Sequence, residues 1–93
     1  MAQPEFEWDE AKATANEAKH GVSFMEAKSV FNDRFAITIA DPDHSSEEKR
    51  WIDIGHSMSE RLLVVWYTER GGRIRIIGCR KATTAERRVY RHE

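Results

Sequence analysis

Residues 62–80 read LLVVWYTERGGRIRIIGCR, and this stretch decides the fold. The run LLVVWYT is apolar without alternation, the pattern of a strand covered on both faces, so the strand at 62–69 is expected to be central and buried. ERGG is a turn, and RIRIIGCR behind it is rich in β-branched residues. Two such runs joined by so short a glycine turn predict a hairpin. In simple alternation Ile74, Ile76, Gly78 and Arg80 share one side of the second strand, with Arg75, Ile77 and Cys79 on the other. Arg80 is then expected to leave the sheet on the side of two isoleucines, with an apolar floor and an open front.

Upstream of the hairpin, RWIDIG is a further strand, and DPDHSSEE before it is a loop by composition. From Arg34 the period is two, with Phe35, Ile37 and Ile39 forming the apolar side of a half-buried strand. Two helices precede it. Asp9 is an N-cap for a helix over 10–20 whose small apolar side is Ala11, Ala15 and Ala18, and Gly21 closes it. Ser23 and Glu26 form a capping box for the second, with Val22 and Ala27 as its staple and Phe24, Ala27 and Phe31 on one face, ending near Asn32 and Asp33. Glu5–Trp8 (EFEW) is a short edge strand. Beyond the hairpin, Thr83 and Glu86 make another capping box, opening a last helix on which Ala85 and Val89 share a face. The order is a short strand, two helices, four strands and a helix. With no repeat and no linker, residues 1–93 read as a single α+β domain.

The composition narrows the class. The chain is 40% apolar and 33% charged, which is globular rather than disordered. No apolar run approaches a membrane span, and MAQPEFEWDE lacks a secretory pattern, so a cytoplasmic protein without membrane contact is expected. The single cysteine, Cys79, excludes an internal disulfide and reads as a small buried strand residue. The net charge of −1 hides an asymmetry: residues 1–60 hold 6 Lys/Arg against 13 Asp/Glu, and residues 61–93 hold 9 against 3. That split implies either a basic face for nucleic acid or charge-complementary packing of the two halves.

His20, His44, His56 and His92 have no ligand spacing with one another or with Cys79, so no metal is expected, and no cofactor. Phosphate-loop, dinucleotide and nucleophile-elbow motifs are also missing. Cations, a tyrosine and a few carboxylates remain. Arg80 at a strand end offers a guanidinium for bidentate phosphate binding. Tyr90, one turn after Glu86, can face back toward the sheet. Lys19 and His20 stand where cations stabilise a helix C-terminus, and His20 is also able to shuttle protons. Arg50 shares its strand phase with Ile52 and Ile54, and Glu48 is two residues away as an ion-pair partner.

Three blocks carry a family pattern: FEWDEAKATANEAKHGVSFMEA, DPDHSSEEKRWIDIG and LLVVWYTERGGRIRIIGCRKATTAERRVY. In this order they resemble the BrnT family, toxins of type II toxin–antitoxin pairs, across nearly the whole chain. The family's last strand typically ends Ile-Ser-Ala-Arg-Lys; here Gly78 and Cys79 replace the Ser and Ala, while Arg80 and Lys81 match. The resemblance implies a fold similar to the RelE group of ribonucleases: two N-terminal helices, a curved antiparallel sheet of about four strands and a C-terminal helix. It implies a metal-independent endoribonuclease that inhibits translation by cleaving RNA, including ribosome-associated mRNA. Its partner would be a BrnA-like ribbon-helix-helix antitoxin, binding operator DNA for the pair, with room for a toxin dimer in a heterotetramer. Arg50 and Arg80 would hold the phosphate, Lys19, His20 or Glu48 would act as base, Tyr90 as acid, and Arg75, Lys81 and Arg87 would contact RNA. Two rival readings are a non-catalytic antitoxin-binding co-repressor and a stand-alone RNA-binding domain.

Overall fold

The hairpin forms where the pattern puts it. In a computed structural model, which describes residues 4–42 and 48–91, β4 (Leu62–Arg70) turns through Gly71 and Gly72, both at positive φ, into β5 (Arg73–Lys81). The other elements are β1 (Glu5–Glu7), α1 (Glu10–His20), α2 (Phe24–Ser29) continuing into a 3-10 turn (Val30–Asn32), β2 (Ile37–Ala40), β3 (Arg50–His56) and α3 (Thr84–Arg91). The strands join in one sheet of order β1-β5-β4-β3-β2, so β4 is central as expected. The loop expected at DPDHSSEE lies mostly outside the described residues.

The sheet has five strands rather than about four, and it is mixed: β1 runs parallel to β5, while the other pairs are antiparallel. Side-chain complementarity suits this register. Glu5 and Glu7 lie opposite Arg73 and Arg75 on one face, and Phe6 lies opposite Ile74 on the other.

Simple alternation fails in β5. Trp66 pairs with Gly78 but its neighbour Tyr67 pairs with Ile76, so Ile77 is an extra residue on the bulged strand. A one-residue slip exchanges the faces of everything beyond it. Ile74, Ile76 and Cys79 consequently share one core with Leu63, Val65 and Tyr67. Arg80, paired with Val64, emerges on the opposite face from the two isoleucines, contrary to expectation.

The larger core lies between the sheet and the N-terminal helices, where Val22, Phe24, Ala27 and Val30 are fully buried. Asp9 caps α1 by accepting from the Lys12 N–H, and Gly21 ends it in the left-handed conformation. The contact face of α1 is not Ala11, Ala15 and Ala18, which are exposed. Ala13 packs on the core, and the Asn16 amide bonds the Val22 carbonyl and the Cys79 backbone N–H. Only half of the Ser23 box forms, because the Glu26 carboxylate turns away to Arg61 and Ser57. Phe35 lies just outside β2 and is exposed. Ala85 and Val89 are exposed too; α3 instead lies on its Glu86–Tyr90 side against Ile54, Leu62 and Val64.

Candidate functional site: the arginine-walled sheet face

Side chains paired across strands point to the same side, so the register defines transverse rows on the sheet face opposite α1 and α2. Ile39, Ile52, Trp66 and Gly78 form one row. Arg50, Thr68, Arg75 and Glu7 form the next. Ile37, Ile54, Val64 and Arg80 form the row on the other side, where α3 crosses the sheet. The result is a trough of apolar residues, Ile39, Ile52 and Trp66, flanked by Arg50 and Arg75 on one side and by Arg80 on the other, and Gly78 places no side chain beside Trp66.

The arginines here are mostly matched by carboxylates. Arg75 pairs with Glu7 at 3.2 Å, Arg73 with Glu5 at 3.1 Å, and Arg70 with Glu48 at 2.6 Å. Glu26 and Arg61 make another such pair beside the β3–β4 turn. In each of these pairs the acid lies in residues 1–60 and the base in residues 61–93, so the charge split is largely consumed by folding. Glu48 therefore serves Arg70, not Arg50. Arg50 makes no ion pair with another described residue.

Arg80 lies over the Trp66 ring, with its Cζ 5.0 Å from the ring centroid. Its front is closed rather than open: Nη1 and Nη2 donate to Glu86 Oε1 and Oε2 at 2.8 and 2.9 Å. The Arg80 hydrogen bonds hold the Glu86 carboxyl down at about 2. Glu86 also completes both halves of the capping box, accepting from the Thr83 N–H at 2.8 Å and donating its own N–H to Thr83 Oγ1.

One turn further along α3, the Tyr90 hydroxyl donates to Asp33 Oδ2 at 2.7 Å and lies 3.1 Å from Nδ1 of His56. Burial raises the Asp33 carboxyl. Hydrogen bonds from the His56 backbone N–H, the Tyr90 hydroxyl and the Phe35 N–H outweigh it, and hold the group below the ordinary aspartate value. Burial and Asp33 push the Tyr90 phenol up to about 12. With the Tyr90 proton committed to ionised Asp33, the Tyr90 oxygen accepts from Nδ1–H of His56. Nε2 of His56 makes no hydrogen bond to another described residue. A shallow cleft of about 290 Å³ opens beside this cluster, lined by Ser29, Asn32, Asp33, His56, Ser57 and Met58.

The structure thus gathers Arg50, Arg75, Arg80 and Tyr90 on one face and leaves other expected residues outside. Lys19 and His20 end α1, which packs on the opposite side of the sheet. Lys81 pairs with Leu63, a helix-side residue, and so points away from Arg80. Arg87 is exposed on α3. Cys79 is buried, and burial raises its thiol to about 11, which suits a packing role. His44 and His92 lie outside the described residues. Among the described residues no group of three or more His, Cys, Asp or Glu is arranged to hold a metal, and no helix is long and apolar enough to cross a membrane.

Asp33, His56, Trp66 and the Arg80-binding role of Glu86 are missed by sequence reading. Trp66 is hidden inside a continuous apolar run. Asp33 and His56 are 57 and 34 residues from Tyr90, and only the fold brings them together.

A family model described as the ribonuclease toxin BrnT of a type II toxin–antitoxin system matches residues 8–86. Among solved structures, the ribonuclease toxin BrnT of Brucella abortus is similar to this chain, with a TM-score of 0.64 and 22% sequence identity. That alignment covers 88% of this chain and 100% of the Brucella chain. Comparison with curated proteins finds no match.

Proposed function

Because the chain belongs to the BrnT family of ribonuclease toxins of type II toxin–antitoxin systems, we propose that the arginine-walled trough binds a single RNA strand and cuts it without a metal ion. The carrying observation is the row Ile39–Ile52–Trp66 between Arg50 and Arg75 on one side and Arg80 on the other. An apolar and aromatic floor takes bases of any identity, while guanidiniums along the margins track phosphates. Cleavage proceeds by attack of a 2′-oxygen on the adjacent phosphorus. The new P–O2′ bond forms as the P–O5′ bond breaks, giving a 2′,3′-cyclic phosphate and a 5′-hydroxyl. The 2′-proton goes to a base, and an acid returns a proton to the departing oxygen.

Arg80 holds the scissile phosphate as its charge rises, and Arg50, at the far end of β3 from His56, holds a neighbouring phosphate of the same strand. Arg75 and exposed Arg87 assist along the backbone. For the proton transfer, His56 replaces Lys19, His20 and Glu48, because its ring stands on the trough face, held at Nδ1 by the Tyr90–Asp33 pair with Nε2 turned away from that contact. Tyr90 orients that ring rather than giving up its own proton. Cutting messages, free or on ribosomes, inhibits translation. The antitoxin expected for this family would cover the face with an acidic and apolar segment, the remainder being a ribbon-helix-helix dimer on operator DNA.

The test is cleavage of a labelled single-stranded RNA in EDTA by the purified chain, with product ends identified. A 2′,3′-cyclic phosphate is expected, with loss of cleavage in Arg50→Ala and His56→Gln. Activity that vanishes in EDTA and returns with Mg²⁺ would refute the metal-free route. The alternative reading is a non-catalytic partner of the antitoxin, favoured by the carboxylates already matched to Arg70, Arg73, Arg75 and Arg80. Under that reading, induced chain neither cuts RNA nor slows growth.

A further inference from the structure

Arg80 already holds an anion. Its two terminal nitrogens engage both oxygens of Glu86, the fork-to-fork arrangement in which an arginine holds a phosphate. The two side chains are partly exposed, at 29% and 26%, so solvent and solutes can reach the pair. Resting on the RNA reading above, we infer that Glu86 is an internal competitor for RNA phosphate at Arg80, and that RNA engages this arginine by displacing the carboxylate.

Three features of the structure support an exchange rather than a permanent bond. Glu86 Oε1 is shared between Arg80 and the Thr83 N–H, so Glu86 retains a hydrogen-bond partner after Arg80 turns away. Arg80 retains the Trp66 ring beneath it, and a phosphate would take over the fork. The helix that carries Glu86 is weakly anchored: α3 has no buried residue, exposes Val89, and meets the sheet mainly through Glu86 and Tyr90. Such an element belongs to the low-stability end of a fold and is able to shift without disturbing the main core. Arg70, Arg73 and Arg75 have acidic partners on β1 or near β3, not on α3, and Arg50 makes no ion pair with another described residue. Arg80 is therefore the cation whose availability α3 controls.

Glu86→Gln isolates the effect. The glutamine oxygen can still accept the Thr83 N–H and keep the helix cap, but the competing anion is gone. The probe is a 2′-O-methylated single-stranded RNA oligonucleotide, which lacks the attacking hydroxyl, with binding to the full chain read by fluorescence anisotropy. E86Q is expected to bind about five- to tenfold tighter than the parent, the scale of one partly exposed bidentate charge pair. In an Arg80→Ala background the same change should alter affinity less than about twofold, as a double-mutant cycle requires of two groups acting through each other. Equal gains with and without Arg80 would reduce the effect to general charge and overturn the inference. Unchanged or weaker binding by E86Q would make Glu86 a residue that positions Arg80, and overturn it equally. A parent chain that binds no probe at all removes the RNA reading itself, and this inference with it.

Discussion

The two faces of the sheet are held by different physics. Toward α1 and α2, Phe24, Leu63, Val65 and Ile76 are sealed from water, and Cys79 fills space without chemistry. On the other face, arginines from β4 and β5 are balanced by carboxylates from β1, the segment before β3 and α3. Apolar burial is removed only by unfolding. A partly exposed ion pair contributes little net stability, and its carboxylate is exchangeable for another anion. The first face therefore stores stability, and the second stores binding capacity. A chain of 93 residues has a single modest core, so little redundancy exists on the storing side.

The sharpest break between the faces comes from truncating each. Phe24 is 1% exposed and packs edge-on against Trp8 at 6.0 Å. Phe24→Ala should cost about 3–5 kcal/mol of stability, leaving a cavity that the small core cannot close. Urea unfolding would show it as a lowered midpoint, and a midpoint shift below about 1 kcal/mol would mean that this face is not the one that holds the fold. Arg80→Ala should do the reverse. Its melting curve is expected to stay within about 1 kcal/mol of the parent, whereas RNA cleavage should fall about 100- to 1000-fold, the effect of a lost oxyanion donor. Arg80→Lys should recover only part of the rate, since an ammonium cannot reproduce the fork. A variant that unfolds would move Arg80 to the storing side; one that cuts RNA at the parental rate would hand the phosphate to Arg50.

How far sequence reading reached differs between the faces for the same reason. The helix caps at Asp9, Ser23 and Thr83, the left-handed Gly21 and the hairpin at Gly71 and Gly72 depend on neighbours within a few positions, and all were readable. The bulge at Ile77 was not. Nothing in RIRIIGCR separates a regular strand from one that slips by a residue, and that slip alone moves Arg80 to the other face. Carboxylate–arginine matching was equally hidden, because Glu5 meets Arg73 and Glu48 meets Arg70 only after the sheet has formed. Asp33, Tyr90 and His56 are a set for the same reason. Local chemistry is legible from sequence, whereas a site assembled from four elements is not.

Acid should loosen the charged attachments before the apolar core. Hydrogen bonds from Arg61 hold the Glu26 carboxyl below its usual value, and those from Arg80 hold Glu86 at about 2. Both folded values lie below the unfolded ones, so the stability they contribute is present above about pH 4.5 and is lost as pH falls toward 2. Melting temperature should accordingly decline through that window, and the decline should be shallower in Glu26→Gln. That variant should also lose roughly 1–2 kcal/mol at neutral pH, because Arg61 and Ser57 share the carboxylate. A parallel decline in both proteins would place the acid-labile contacts elsewhere.

One residue inverts the pattern. Asp53 points to the storing face, is 5% exposed, and is met by two hydroxyls instead of a guanidinium: Thr38 Oγ1 at 2.7 Å and Tyr67 Oη at 2.9 Å, both donating to Oδ1. Burial raises its carboxyl above the ordinary value, more than those two hydrogen bonds lower it. For an acid with a raised folded value, the folded state binds the extra proton between the unfolded and folded values. Stability therefore falls as pH rises through that window, and the deficit is complete above it. Asp53→Asn removes the charge while keeping an oxygen that accepts from both hydroxyls. At pH 7 it should raise stability by about 1 kcal/mol, a gain that shrinks toward zero below about pH 3, where the aspartate is protonated in both states. Paired melts of parent and variant at the two pH values measure this directly. If the variant is instead less stable at pH 7, the ionised carboxylate is a structural acceptor for Thr38 and Tyr67, and the helix-covered face depends on a charge after all.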